Sequence, residues 1–233
     1  MNFAARGTDF GVDWVDVTIE PHHAEQFTNQ DVRIYEATIP PGTATLFHRH
    51  TRDTLYVITA GGRFRSEEPG HQIPGTRLGR STPLSRQLWW MATRSLAGGW
   101  VTMPTGTIVA QPHRTHPLIH RVIGHPPNTT AIRMLGVELH RERPASAPLV
   151  GARGIRTECQ GPPWPAYRLN TPADAQPQDL TLAGGAVLVV VAGSATVQHD
   201  GQVHHLQPGQ ARWLPPGHNA IQSRSMNAVL IPL

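Results

Sequence analysis

Turn chemistry constrains this chain more than any other feature. Glycine and proline occupy 22 positions each. They cluster as Pro40-Pro41-Gly42, Gly61-Gly62, Gly98-Gly99, Pro104-Thr105-Gly106, Asp200-Gly201, Pro208-Gly209 and Pro215-Pro216-Gly217. Such clusters set the backbone for tight reversals between antiparallel strands. Between them lie segments rich in Val, Ile, Thr and aromatics, at 32–39, 54–60, 84–91, 131–139, 186–192, 194–198, 211–214 and 227–231. No capped, periodic helix competes with them, and only 174–179 leaves room for a turn or two of helix. The expectation is an all-β protein.

The 233 residues allow one large domain or two small ones. From about 143 to 179 the chain turns Pro-, Gly- and Ala-rich and loses alternation. We therefore expect a first module at 1–143, a linker or strap at 144–178 and a second module at 179–233. A strap would be anchored by Trp164 and Tyr167.

Charge excludes some partners. The 20 basic residues against 16 acidic ones give +4, and all the basic residues are arginine, scattered without a run. A phosphate backbone would require a clustered basic face, so nucleic acid is not expected. The single cysteine, Cys159, cannot form an internal disulfide and suits a reducing compartment. The longest apolar run, 186–192, falls far short of the roughly 20 residues that span a bilayer. The reading is a soluble cytoplasmic protein with no membrane partner.

The two halves share a spacing. Gly98, Pro104 and Gly106 are spaced like Gly209, Pro215 and Gly217, and each set follows a strand ending in Ala-Gly, at Ala60-Gly61 and Ala192-Gly193. A duplicated β-module explains both matches, with a long insertion at 66–87 in the first copy.

Gly42, then His48-Arg49-His50 six residues on, then a strand from Thr54 to Gly61, resembles the first cupin motif. Gly98 to Gly106 resembles the second. The resemblance implies two double-stranded β-helix (cupin, jelly-roll) barrels, a bicupin, covering about 30–140 and 180–231. In cupins the first motif supplies two histidines and a glutamate, and the second supplies another histidine. His48 and His50 are two apart, so an extended backbone points both imidazoles to one face, as shared coordination of an ion demands. The glutamate position holds Thr54 and the second-motif histidine position holds Val109. His120, at the start of HRVIG, resembles the family's entry into its last strands and is the preferred third ligand. His113 and His116, in a proline-bounded loop, are the alternatives.

Three neutral imidazoles would leave a divalent ion at +2, a charge suited to an anionic bidentate substrate. Gentisate-type and thiol dioxygenases are cupins of this kind. The implied function is a metal-dependent oxidoreductase, a dioxygenase acting on a small organic substrate, with carboxylates among the candidates. It would hold one divalent transition metal per chain, Fe(II) favoured, with Zn, Ni or Mn as alternatives. A non-catalytic small-molecule or sugar-binding bicupin, and a metal-dependent isomerase or lyase, are the competing readings. Substrate contacts are sought among Arg33, Tyr35, Thr54, Tyr56 and Arg133; Trp89 and Trp90 point to opposite faces, so only one of them can line the cavity, and core packing is their default reading. Counting back from Gly193 places Leu180, Leu182 and Ala186 where the first module has His48, His50 and Thr54, and Ala220 at the second-motif position, so the second module is expected to hold no metal. Uncovered strand edges lead us to expect a homodimer.

Overall fold

The computed structural model describes residues 5–9, 11–69, 99–141, 155–158, 166–172 and 177–233. The expected strand at 84–91, with Trp89 and Trp90, lies outside the described residues, as do Gly98, Cys159, Trp164 and most of 66–87 and 143–165. Strand is the dominant element of the described chain, and its helical element is a three-residue 3-10 turn at Val17–Ile19, opened by Asp16, whose carboxylate accepts from the Thr18 amide.

The strands are β1 (Arg6–Asp9), β2 (Val12–Asp16), β3 (His23–Thr28), β4 (Val32–Ile39), β5 (His48–His50), β6 (Thr54–Ala60), β7 (Gly62–Glu67), β8 (Val101–Met103) and β9 (Ile108–Gln111). They continue as β10 (Leu118–Gly124), β11 (Ile132–Leu139), β12 (Ile155–Glu158), β13 (Ala166–Asn170), β14 (Gln178–Leu182), β15 (Ala186–His199), β16 (Gln202–Leu206), β17 (Ala211–Leu214) and β18 (Gly217–Pro232). Three sheets result. One runs β1-β2-β5-β10-β7-β8, a second β3-β4-β11-β6-β9, and a third, seven-stranded, is built from β12 to β18. β12 and β13 lie within the segment expected to be a linker, and both belong to the third sheet.

Strand alternation decides what each face does. On β4, β6 and β11 one set of side chains, Ile34, Leu55, Val57, Leu135 and Val137, packs with Val187, Val189, Val229 and Ile231 of the third sheet in a single core. The opposite set on the same strands, among them Ala37, Ile39, Ile58, Ile132 and Met134, packs against Phe64 and Val122 of the first sheet. The five-stranded sheet is thus apolar on both faces. It separates the interior of the first module from the second.

The pairing scheme occurs twice. The contacts β3·β4, β4·β11, β11·β6, β6·β9, β5·β10, β10·β7 and β7·β8 recur as β12·β13, β13·β18, β18·β15, β15·β17, β14·β18, β18·β15 and β15·β16. Two long strands therefore do the work of four: β15 replaces β6 and β7, and β18 replaces β10 and β11. Each turns from one role to the other at an irregularity, with Gly193 at φ 72° and Ser225 at φ 46°.

This register corrects the repeat read from spacing. The Gly106 amide donates to the Ile58 carbonyl, and the Gly209 amide donates to the Val190 carbonyl. Ile58 and Val190 each stand three residues before the glycine that ends their shared motif, so Gly106 corresponds to Gly209 and not to Gly217. Both are left-handed, at φ 86° and 84°, a conformation glycine adopts without strain. The spacing match was displaced by one hairpin because Pro-x-Gly turns recur along the chain.

Candidate metal centre

β5 is only three residues long, yet it is fixed on both sides. It pairs in parallel with β2 through Val15↔His48 and antiparallel with β10 through His120↔His48 and Leu118↔His50. Alternation turns Arg49 outward, where its guanidinium lies over Trp14 at 5.2 Å. His48 and His50 turn inward and are buried. Their rings lie 4.9 Å apart, and the His120 ring is 4.6 Å from His48 and 5.2 Å from His50. His120 is half-buried and its Nδ1 is 2.8 Å from Ser66 Oγ.

A histidine absent from the sequence reading joins them. His23, at the start of β3, is buried with its ring 4.6 Å from that of His48. One ring nitrogen from each of His23, His48 and His50 lies within 4.8 Å of the other two. The cluster can therefore hold a metal ion. The HH pair at 22–23 was the only sequence signal. It said nothing about location, because the inward face of β3 is set by its pairing with β4, His23↔Ala37, and not by a local pattern.

Orientation within the cluster fits a metal. His48 Nδ1 donates to the Leu46 carbonyl at 2.9 Å, which leaves the lone pair on Nε2. That Nε2 is buried and meets no hydrogen-bond partner, a state that costs about 1–3 kcal/mol unless something fills it. Burial pushes the imidazoles down, His48 to about 3 and His50 well below its ordinary value, with neighbouring histidines adding to the effect. Both are neutral bases, the form a metal takes.

Thr54 sits at the glutamate position, fully buried, and its hydroxyl donates to the Arg52 carbonyl at 2.9 Å. Beside it a layer of hydroxyls crosses the five-stranded sheet. Gly136 pairs with Tyr35 on one side and Tyr56 on the other. A Cβ on Gly136 would lie 2.4 Å from the Tyr35 ring, so glycine lets that ring lie across the strand. The two hydroxyls meet at 3.4 Å, and Tyr56 Oη lies 3.3 Å from both His50 Nδ1 and His113 Nε2. Burial raises both phenols, which stay protonated at neutral pH.

The alternative histidines separate. His113 is buried, stacked on His50 with centroids 4.8 Å apart, and burial pushes it down to about 4. His116 is exposed, bonded to Thr115. The candidate substrate arginines separate too. Arg33 faces inward over the Tyr35 ring at 4.8 Å, with Glu25 2.9 Å and Glu138 3.5 Å away. Its charge is already matched. Arg133 lies on the opposite face of β11, half-exposed and paired with Glu36, away from the histidines.

Among the described residues the second module has no histidine at the corresponding positions. Through the register, His48, His50 and His120 correspond to Leu180, Leu182 and Asn219. The counterpart of His120 is thus Asn219, and that of Val109, for which the spacing gave Ala220, is Arg212. Tyr35, Gly136 and Tyr56 correspond to Tyr167, Leu230 and Leu188. Leu180, Leu182, Ala186, Leu188, Leu230 and Tyr167 all sit in one apolar core.

No protein-family model matches the chain, and no curated protein matches it by sequence. Solved structures do match. Protein Ylba from E. coli aligns at TM-score 0.57 and 8% identity over 91% of this chain and 83% of that one. A cupin 2 conserved barrel domain protein from Leptotrichia buccalis aligns at 0.51 and 9% identity, covering 91% and 88%. A variant of salicylate 1,2-dioxygenase from Pseudoaminobacter salicylatoxidans, in complex with gentisate, aligns at 0.54 and 9% identity, covering 90% and 73%. At such identities the likeness is one of fold. Among the described residues no helix is long and apolar enough to cross a membrane. Strand pairing, the inward His-x-His of β5 and these structural matches give one conclusion: the chain has the cupin fold.

Proposed function

We propose that this chain is a metal-dependent oxidoreductase, a dioxygenase acting on a small organic substrate, with one ion per chain in the first module. The observation that carries the reading is the orphaned His48 Nε2, aimed among neutral imidazoles with no carboxylate at Thr54. His48, His50 and His120 would hold the ion, with Fe(II) favoured. A bound Fe(II) would supply the redox chemistry with oxygen. The chain's own part is to present an anion-receptive centre and, at Tyr56, a phenol O–H within hydrogen-bond distance of two imidazoles. The name of the salicylate dioxygenase that shares the fold supports oxygen chemistry on a hydroxylated aromatic acid. In this reading the chain is a bicupin divided near 143 and 179, it pairs as a homodimer, and its second module is structural.

Untagged protein analysed for metal, then loaded with Fe(II) and followed by oxygen uptake with salicylate, gentisate and small thiol acids, tests the proposal. We expect about one iron per chain and uptake with one class of acid. Metal content near zero after reconstitution, or iron-loaded protein inert towards all three classes, overturns it.

A further inference from the structure

Glu20 is fully buried at the end of the 3-10 turn, and the sequence reading gave it no role. Its carboxylate accepts from the His22 amide at 2.7 Å and the Leu46 amide at 3.1 Å, and lies against His22 Nδ1 at 3.0 Å and His23 Nδ1 at 2.5 Å. Burial strips this carboxylate of water, and two backbone amides and two imidazoles take water's place around it.

Its partners set it apart. The other buried carboxylates have arginines: Glu138 has Arg52 and Arg33, Asp53 has Arg114, and Glu67 has Arg65 and Arg121. Glu20 has, among the described residues, only the two histidines as ion-pair partners. A buried charge without a cationic partner is costly, and this one stands one imidazole away from a cluster that can hold a cation. It also touches both halves of that cluster. It contacts His23 directly, and it holds the amide of Leu46, whose carbonyl fixes His48 Nδ1.

Building on the metal reading above, we propose that Glu20 is the carboxylate this site uses in place of the one missing at Thr54. It acts from one shell out. By taking the Nδ1 proton of His23 in a hydrogen bond, Glu20 leaves Nε2 of His23 to the cluster, makes His23 a further ligand beside His48, His50 and His120, and gives the bound cation its countercharge. A carboxylate behind a ligating histidine fixes the tautomer and strengthens the base. The site then has a countercharge without giving up a coordination position to it.

The test is metal binding, independent of turnover. Metal-free protein is titrated with Co(II), read by its visible absorption, and with Zn(II) in competition. Glu20→Gln should weaken binding about 10- to 100-fold, because the neutral amide removes the countercharge and accepts the Nδ1 proton of His23 less strongly than a carboxylate does. His23→Ala should weaken it at least as much, and the double variant should fall well short of the sum of the two losses, since Glu20 acts chiefly through His23. Wild-type affinity in Glu20→Gln or in His23→Ala, with His48→Ala abolishing binding, overturns the inference and leaves the metal site standing. Additive losses in the double variant overturn it equally. If the wild type binds no metal, it is the reading beneath that fails. Should Glu20→Gln not fold, the metal-induced rise in melting temperature of His23→Ala decides: a rise equal to that of the wild type overturns the proposal, and a rise less than half as large supports it.

Discussion

The two modules use one pairing scheme for opposite interiors. At corresponding inward positions the first has His48, His50, His120, Tyr56 and Gly136, and the second has Leu180, Leu182, Asn219, Leu188 and Leu230. Both build their sheets, so the fold does not depend on what points inward, provided the alternation and the turns are kept. What differs is where the stabilisation comes from. The second module fills its interior chiefly with aliphatic side chains around the single amide of Asn219, whereas the first gathers several imidazoles and relies on the opposite face of its sheet for much of its apolar contact.

The comparison breaks most sharply at paired positions. His48→Ala should abolish metal binding, measured as ions per chain, while its counterpart Leu180→Ala should leave metal binding unchanged. Leu180→Ala should instead cost about 2–5 kcal/mol of unfolding free energy, the usual range for emptying a packed leucine site. A fall in metal content for Leu180→Ala would mean the modules are not energetically separable.

The next effect concerns the third histidine. His120 sits on a strand paired on both sides, to β5 and to β7, so its ring is held by the sheet, whereas His113 lies in the turn after β9, stacked on His50 and within reach of the Tyr56 hydroxyl. His120→Ala should reduce metal binding as completely as His48→Ala, and His113→Ala should leave most of it. The reverse ranking would place the third ligand in the loop.

Gly136 sharpens the comparison from the other direction, since its counterpart is Leu230. Gly136→Ala puts a methyl against the Tyr35 ring and should cost about 1–3 kcal/mol through the forced shift. Its metal stoichiometry should stay at the wild-type value. An unchanged melting temperature would show that the ring moves freely.

How much of this was legible in the sequence depends on whether a feature is local. The strands at 32–39 and 54–60 coincide with β4 and β6, because β-branched runs between Gly and Pro turns report themselves, and 211–214 coincides with β17 because Pro208-Gly209 and Pro215-Pro216-Gly217 bracket it. The inward pair His48 and His50 was legible for the same reason, as period-two alternation needs only three residues. His23 and Glu20 were not, because their nearness to His48 comes from β3 pairing with β4 and from Leu46 docking on a 3-10 turn. The match of Gly217 to Gly106 failed for a related reason. Turn chemistry identifies a hairpin but does not say which one, and only the bonds to Ile58 and Val190 fix the count.

The smallest effect is expected at Arg133, where a face decides the outcome. Its strand neighbours Met134 and Ile132 point into the first module, while Arg133 shares the side of Leu135 and Val137 and reaches Glu36 at the half-exposed margin of the sheet. A solvent-screened pair of this kind contributes about 0–1 kcal/mol. Arg133→Ala should therefore lower stability by no more than that, and the difference should shrink as salt is raised, because an exposed pair is screened within about 10 Å at 0.1 M ionic strength. If Arg133 instead received the carboxylate of a substrate, the variant would raise KM for an acid with little change in unfolding. Oxygen uptake across a substrate titration, set beside a melting curve at two salt concentrations, separates the outcomes: an unchanged KM with a small, salt-sensitive loss of stability assigns the arginine to the sheet.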